Sequence, residues 1–458
     1  MQKTDQAYQT ATEYILNIPK FSGKHTMEET RAFYEFLGEP CRNQRIVHVA
    51  GTNGKGSVCA YLRNVLEEAG YHTAAFISPH LVSVRERFLF DKDMVSKAEF
   101  IQAYDEVRRQ VQAFEERCKG YHPSFFEFLF FMFLMMQKTG KADYIILETG
   151  LGGRLDATNV MPEKTLCIIT EIGLDHTEYL GDTVRQIAGE KAGILRTETP
   201  VVYAADKQES AEVIEEQAKA QKAMAYPVGR RDFKIERIQY KNIAFSFHSV
   251  YYNSISVILR TTALYQVENA SLALRALDVL NLQGADILED QIVRGMQKTY
   301  WEGRMEEVFP DVYIDGAHNE DGIRAFLASV RQLSVCQTET DRKSGTESDK
   351  KQSEYHNSLL FAVVQDKRYD KMLQMIAESG LFHKITITTT GGSRGTDPRE
   401  MLSILQQYHR GECNYYESAE EAFDACISSK KEGERIYIAG SLYLAGQIKA
   451  YIGRNSDD

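Results

Sequence analysis

A short apolar run at residues 46–50 feeds a glycine-rich turn. Beyond it Val58, Leu62, Val65 and Leu66 fall at helical spacing, Gly70 stops the pattern, and a second apolar run begins at 74–77. Strand, turn, amphipathic helix over 57–69 and strand make a βαβ unit. Further apolar runs at 144–147, 166–170 and 201–204 alternate with helical patterns near 99–117, 124–138, 183–195 and 207–223, and the stretch up to Leu37 is partly helical. Such alternation predicts a parallel sheet covered by helices, with function at the C-terminal ends of its strands. From Phe233 to Leu259 the apolar period becomes two, as in Ala244-Phe245-Ser246-Phe247, which predicts a short antiparallel meander. Helices near 267–281 and 285–297 close this half near Lys298. Strands at 312–315, 359–364, 385–388 and 436–439 then alternate with helices, so a first domain over 1–298 is followed by a smaller α/β domain over 299–458. No G-x-G-x-x-G follows a strand of the second half, and no dinucleotide site is expected there. The stretch 337–357 has almost no apolar side chains and is expected to be a mobile surface insertion.

A chain of 458 residues exceeds what one hydrophobic core supports, and its 43% hydrophobic residues are enough to fill two. The most apolar stretch, 125–136, is broken by Glu127 and is too short to cross a bilayer, and the start of the chain lacks the basic and apolar regions of a leader. A cytoplasmic protein with no membrane partner is expected. Seven scattered cysteines without a C-x-x-C pair argue against a disulfide framework and a structural zinc site. A net charge of −11 disfavours nucleic acid, so an anionic ligand must be held by a local cluster of positive groups and metal.

Residues 48–57 read His48-Val49-Ala50-Gly51-Thr52-Asn53-Gly54-Lys55-Gly56-Ser57. The glycines let successive N–H groups point inward, Lys55 adds a full positive charge, and the following helix presents its positive end to the same spot. The turn is a phosphate cradle for a nucleoside triphosphate. Gly56 separates the lysine from Ser57, whereas in the ordinary P-loop Ser or Thr follows directly. After the run 144–147 comes Glu148-Thr149-Gly150-Leu151-Gly152-Gly153-Arg154-Leu155-Asp156-Ala157-Thr158-Asn159. A carboxylate at that place reads as a magnesium ligand beside bound phosphates, or as a cap on the turn. His176, in Gly173-Leu174-Asp175-His176, reads either as a metal ligand at another strand end or as an ordinary surface or core histidine. By themselves Lys191 is a helix lysine, Asn269 a polar residue at a helix start and Arg304 a surface arginine at a domain boundary.

Together with Ser78-Pro79-His80-Leu81, Glu190-Lys191-Ala192-Gly193-Ile194 and Asp315-Gly316-Ala317-His318-Asn319, these segments resemble folylpolyglutamate synthase, often bifunctional with dihydrofolate synthase, of the Mur ligase superfamily, over roughly residues 45–445 and in order. The resemblance implies an α/β fold: a Mur-ligase-like P-loop ATPase domain with a mainly parallel sheet, and a smaller Rossmann-like C-terminal domain, with ATP bridging the two. It implies that Gly51, Thr52, Asn53, Gly54, Lys55, Gly56 and Ser57 hold the ATP phosphates, that Asn269 and Arg304 bind the nucleotide and that Asp315 contacts its ribose. Ser78, Glu148, His176 and Lys191 match magnesium ligands, two sites being implied, with Lys191 carbamylated so that a cation becomes a carboxylate-like ligand. Lys55, Lys191 and His318 are the implied catalytic residues. Phe125, Phe126 and Glu127 lie where the family contacts the pterin, with Arg154 and Asp156 as further substrate contacts, although an aromatic run at a helix start is also ordinary core. Two segments depart from the family pattern: Phe21-Ser22-Gly23-Lys24-His25-Thr26-Met27-Glu28 stands in place of a folate-site loop, and Gln365-Asp366-Lys367 stands for Arg-Asp-Lys.

The implied reaction adds L-glutamate to the glutamyl side chain of a reduced folate at the expense of ATP, by a monomer. Dihydrofolate synthase activity, joining dihydropteroate to glutamate, uses the same machinery and is an alternative. A cell-wall Mur ligase is disfavoured because those enzymes place a nucleotide-sugar domain before the loop, whereas 50 residues precede Gly51. A nucleotide switch is disfavoured because no Asn-Lys-x-Asp motif is present.

Overall fold

The computed structural model describes residues 2–19, 26–138, 140–239, 241–343, 356–391 and 395–456. Eight strands form the first sheet: β1 (Arg45–Ala50), β2 (Thr73–Phe76), β3 (Phe88–Phe90), β4 (Asp93–Met94), β5 (Tyr144–Glu148), β6 (Leu166–Ile169), β7 (Val201–Ala204) and β8 (Ala225–Val228). Their order is β4-β3-β2-β5-β1-β6-β7-β8, parallel except for β3 and β4, which turn back as an antiparallel edge. On one face Val47, Val49, Ile146 and Ile168 pack against helices Lys55–Glu68 and Tyr265–Leu282. On the other, Ile46, Phe76, Ile145 and Leu147 meet helices Lys97–Glu115 and Phe125–Gln137. Strands buried on both faces carry near-continuous apolar runs, which is what makes them legible in sequence.

The meander β9 (Phe233–Gln239), β10 (Asn242–Ser249) and β11 (Asn253–Leu259) is antiparallel and adds Phe245, Phe247 and Ile255 to the core of the first face. A third sheet holds β12 (Glu306–Phe309), β13 (Val312–Ile314), β14 (Asn357–Phe361), β15 (Lys384–Ile387), β16 (Glu412–Tyr415) and β17 (Arg435–Ala439) in the order β12-β13-β17-β14-β15-β16, with β12 antiparallel. The fold is therefore α/β with mainly parallel sheets.

Three differences from the sequence reading have physical causes. The helix after the glycine turn starts at Lys55 rather than at 57, because Gly54 takes a left-handed φ of 90° at its N-cap and Lys55 and Gly56 enter the first turn despite glycine's poor helix propensity. The edge strands β4, β8, β12 and β16 are too short, or in β8 too interrupted by Pro227, to show a period. The beginning of the expected insertion, up to Lys343, continues helix Glu320–Lys343, since extending an existing helix costs little; its remainder at 344–355, like Phe21 to His25, lies outside the described residues. Among the described residues no helix is long and apolar enough to cross a membrane.

Candidate active site

Because β5, β1 and β6 are neighbours, the segments after them meet at one edge of the sheet. The phosphate loop is clamped onto β6: Thr170 Oγ1 donates to Asn53 O at 2.6 Å, and Thr52 N and Asn53 N donate to Glu171 O at 2.8 and 3.2 Å. Gly51 and Gly54 are required here. A Cβ on Gly51 would stand 1.8 Å from Thr170 Oγ1, and one on Gly54 2.1 Å from Asn269 Oδ1. Asn269 is thus a buried wall of the loop, not an ordinary helix-start residue, and its Nδ2 donates to Gln266 Oε1, whose own amide donates to Ser57 Oγ.

Two lysines converge on one carbonyl. Lys55 Nζ donates to Gly51 O at 3.1 Å and to Thr52 O at 3.2 Å, and Lys191 Nζ donates to Gly51 O at 2.7 Å. Lys191 is buried, and that burial, with the charge of Lys55, pushes its amine down to about 7 against the pull of Asp175. It is therefore no solvated helix lysine. Glu148 is also buried; burial raises its carboxyl, Lys55 opposes this, and its Oε2 accepts the Ser78 N–H at 2.9 Å. No cluster of three or more His, Cys, Asp or Glu suited to a metal is found among the described residues. A buried carboxylate with no ion-pair partner among the described residues, beside a phosphate loop, nevertheless fits magnesium, which takes one or two protein ligands and draws the rest from phosphate and water. His176 sits at φ 50°, and burial pushes its imidazole down to about 4.

The third sheet closes over this edge. Asn319 exchanges side-chain hydrogen bonds with Asn53 of the phosphate loop at 3.0 and 3.3 Å and donates to Asp175 Oδ2 at 3.2 Å. His318 Nε2 stands 3.6 Å from the same carboxylate, and Lys367 is ion-paired to it. Burial works to raise Asp175, but His318, Lys367 and His176 outweigh it and hold the carboxyl well below its usual range. Lys207 makes a second tie, to Glu171 at 3.0 Å and Asp321 at 2.7 Å. Asp315 is buried and accepts from Ala317 N, Met305 N and the Tyr265 hydroxyl. Arg304 is half-buried and lines both a crevice of about 1390 Å³ and an adjoining cavity of about 210 Å³ walled by Trp301, Gln266 and Tyr61. It is not an ordinary surface arginine.

The expected substrate contacts divide. Phe125 and Phe126 line the crevice, Phe126 also packing on Phe76 at 5.4 Å. Glu127 lines it too, but its carboxylate accepts from Ser124 N and Thr30 Oγ1, capping its own helix. Asp156 is buried and accepts from Gly150 N, Leu151 N and Thr158, so it shapes the glycine loop. Arg154 does not line the crevice: it pairs with Glu190 at 2.7 Å, its side chain 58% exposed, whereas Leu155 does line it. Sequence reasoning missed Gln266, Trp301 and Tyr265. Tyr265 lies one helical turn before Asn269, a spacing that could have pointed to it.

The family model of the Mur ligase middle domain matches residues 127–277. With the phosphate loop ahead of that stretch and a second α/β sheet after it, the chain is an ATP-dependent ligase of the Mur ligase type. It is 30% identical to the dihydrofolate synthase/folylpolyglutamate synthase of Bacillus subtilis (strain 168), over 97% of this chain and 98% of that one. It is 26% identical to the folylpolyglutamate synthase of Lacticaseibacillus casei, over 96% and 98%. The fold matches that of Mycobacterium tuberculosis folylpolyglutamate synthase complexed with ADP and AMPPCP, with a TM-score of 0.85, 25% identity and coverage of 98% and 99%. The chain belongs to the folylpolyglutamate synthase/dihydrofolate synthase family.

Proposed function

We propose that this protein adds L-glutamate to the γ-carboxylate of a tetrahydrofolate, acting as a cytoplasmic monomer with the nucleotide between residues 1–298 and 299–458. The observation that carries the reading is the buried Glu148 beside the half-buried phosphate loop at the foot of an aromatic-walled crevice. A carboxylate oxygen of the acceptor attacks the γ-phosphorus of ATP, and the bond to the β-phosphate oxygen breaks, its electron pair leaving with ADP. The free amine of glutamate then attacks the acyl carbon, loses a proton, and phosphate departs with the C–O electron pair. The protein's share is positioning and charge neutralisation.

In this reading Lys55 and the loop N–H groups hold the triphosphate, with Ser57 at its base. The base and ribose occupy the cavity beside Trp301, near Asn269, Arg304 and Asp315. Magnesium, when bound, neutralises phosphate charge; Ser78, Glu148 and His176 would hold it, with Lys191 as its carbamate. The depressed Lys191 amine supports that assignment, because only the free base reacts with carbon dioxide. His318 faces the reacting groups beside Asp175.

Joining dihydropteroate to glutamate is a second reading, favoured by the double name of the Bacillus subtilis relative. The deciding measurement is ATP-dependent phosphate release with glutamate plus, in turn, dihydropteroate, monoglutamyl tetrahydrofolate and a UDP-muramyl substrate. Release with monoglutamyl tetrahydrofolate supports the proposal, and release with dihydropteroate supports the second reading. Release indifferent to every acceptor refutes it.

A further inference from the structure

The basic side chains around the crevice sort into two sets. Lys207, Lys367, Arg230 and Arg324 are ion-paired, with Glu171 and Asp321, Asp175, Glu268, and Asp321 respectively. Lys55, Lys191, Arg304 and Arg87 make no ion pair among the described residues. The first three belong to the nucleotide machinery already described. Arg87 does not.

Arg87 ends the short 3-10 helix Val84–Arg87 and is 6% exposed, yet its side chain lines the crevice. Its Nε donates to His80 Nδ1 at 2.8 Å, and the guanidinium carbon lies 5.3 Å above the Phe125 ring. These two contacts fix the plane of the guanidinium and leave its Nη edge for another partner. Glu86, next in the chain, accepts from Leu81 N, Val82 N and Ser83 N, so the loop carrying His80 is itself held. Burial pushes Arg87 down to about 10, so it stays charged at neutral pH. A charge taken out of water without a carboxylate is costly unless an anionic ligand supplies the partner.

The place matters as much as the charge. Arg87 lies over the Phe125 ring and within the field of Glu148, and Glu148 accepts the Ser78 N–H. Before phosphoryl transfer, an acceptor carboxylate must approach the triphosphate, and the two anions repel. A planar cation at this point offsets the repulsion and presents two parallel N–H donors, the geometry that suits a carboxylate. We propose that Arg87 binds the acceptor's carboxylate, held in plane by His80 and Phe125, and orients it toward the γ-phosphate; this rests on the ligase reading above.

The test compares wild type, Arg87→Ala and Arg87→Lys with monoglutamyl tetrahydrofolate and dihydropteroate as acceptors, alongside ADP affinity by calorimetry. Truncating one member of a buried charge pair is expected to lower kcat/KM for the acceptor by about 30-fold or more, mainly through KM, with ADP affinity unchanged within about twofold. Added guanidinium ion should restore part of the Arg87→Ala rate saturably, and Arg87→Lys should be intermediate. Acceptor kinetics within about threefold of wild type would overturn the assignment. So would a loss matched by equal loss of ADP affinity without guanidinium rescue, which marks Arg87 as a loop anchor only. A wild-type enzyme that turns over neither acceptor refutes the ligase reading itself, and the assignment with it.

Discussion

Lys164 provides a quantitative test of the electrostatics behind the phosphate loop. It is buried, and its Nζ donates to Asn159 Oδ1 at 2.8 Å and to Ile194 O at 2.6 Å. A neutral amine has two N–H groups and an ammonium three, so two acceptors satisfy the neutral form and strand a proton of the charged one. Burial pushes the amine from 10.5 down to about 7. A lysine depressed in the folded state is protonated in the unfolded chain over a range where the native protein has shed its proton. Stability therefore rises with pH between about 7 and 10.5. Integrating the difference in bound protons from pH 7 to pH 9 gives about 2 kcal/mol of added stability from this one group. Lys191 adds a like slope, so the measurement must be a difference: urea unfolding of wild type and Lys164→Met at both pH values. Methionine fills a similar volume without a titrating group. The variant should show a pH gain smaller by about 2 kcal/mol. Parallel pH dependence in the two proteins would mean that Lys164 titrates as an ordinary lysine, and the burial argument would be wrong.

Lys55→Ala is expected to lose at least about 100-fold in turnover with an unchanged circular dichroism spectrum, since an electrostatic contact to the transferring group is removed; retained wild-type rates would refute its role. Asp175→Asn leaves Lys367 without its buried counter-charge, and kcat/KM should fall by about 30-fold or more in initial-rate assays. Rates equal to wild type would show that the tie between the sheets does not bear on turnover. Trp301 is the single tryptophan of the chain, and its indole sits 3.0 Å from where a Cβ on Gly56 would be. ATP should therefore change the intrinsic fluorescence of the wild type, and an unchanged spectrum at saturating ATP would move the base elsewhere.

The buried strands and the glycine turn were legible because both rest on local rules: continuous apolar runs for β1, β5 and β6, and glycines that leave room for Thr170 and Asn269. Lys191 was not legible from its own neighbourhood. Its character comes from burial against Gly51 O, a contact across 140 positions of sequence. Asn269 and Arg304 likewise look ordinary until the fold brings them to the loop, and only the family resemblance pointed to them. Arg154 shows the converse. It sits inside the glycine-rich motif, yet chain geometry turns it onto Glu190, while Leu155 faces the crevice. Motif membership fixes where the backbone goes, and the side chain still follows the nearest counter-charge.

The same sorting of charges explains how a chain of net charge −11 can bind polyanions. At physiological salt exposed charges are screened beyond about 8 Å, so most of the acidic surface is invisible from within the crevice. What a ligand meets there is set by local pairing. Lys207 and Lys367 spend their charge on Asp321, Glu171 and Asp175, which ties the third sheet to the phosphate loop. Lys55, Arg87 and Arg304 are left without an ion-paired carboxylate among the described residues, in surroundings where charge acts most strongly. A neutralising change at one of these three must therefore cost binding or turnover, whereas an added acidic residue on the far surface should leave both unchanged. Net charge describes the solubility of this protein, and the unpaired cations describe its ligand.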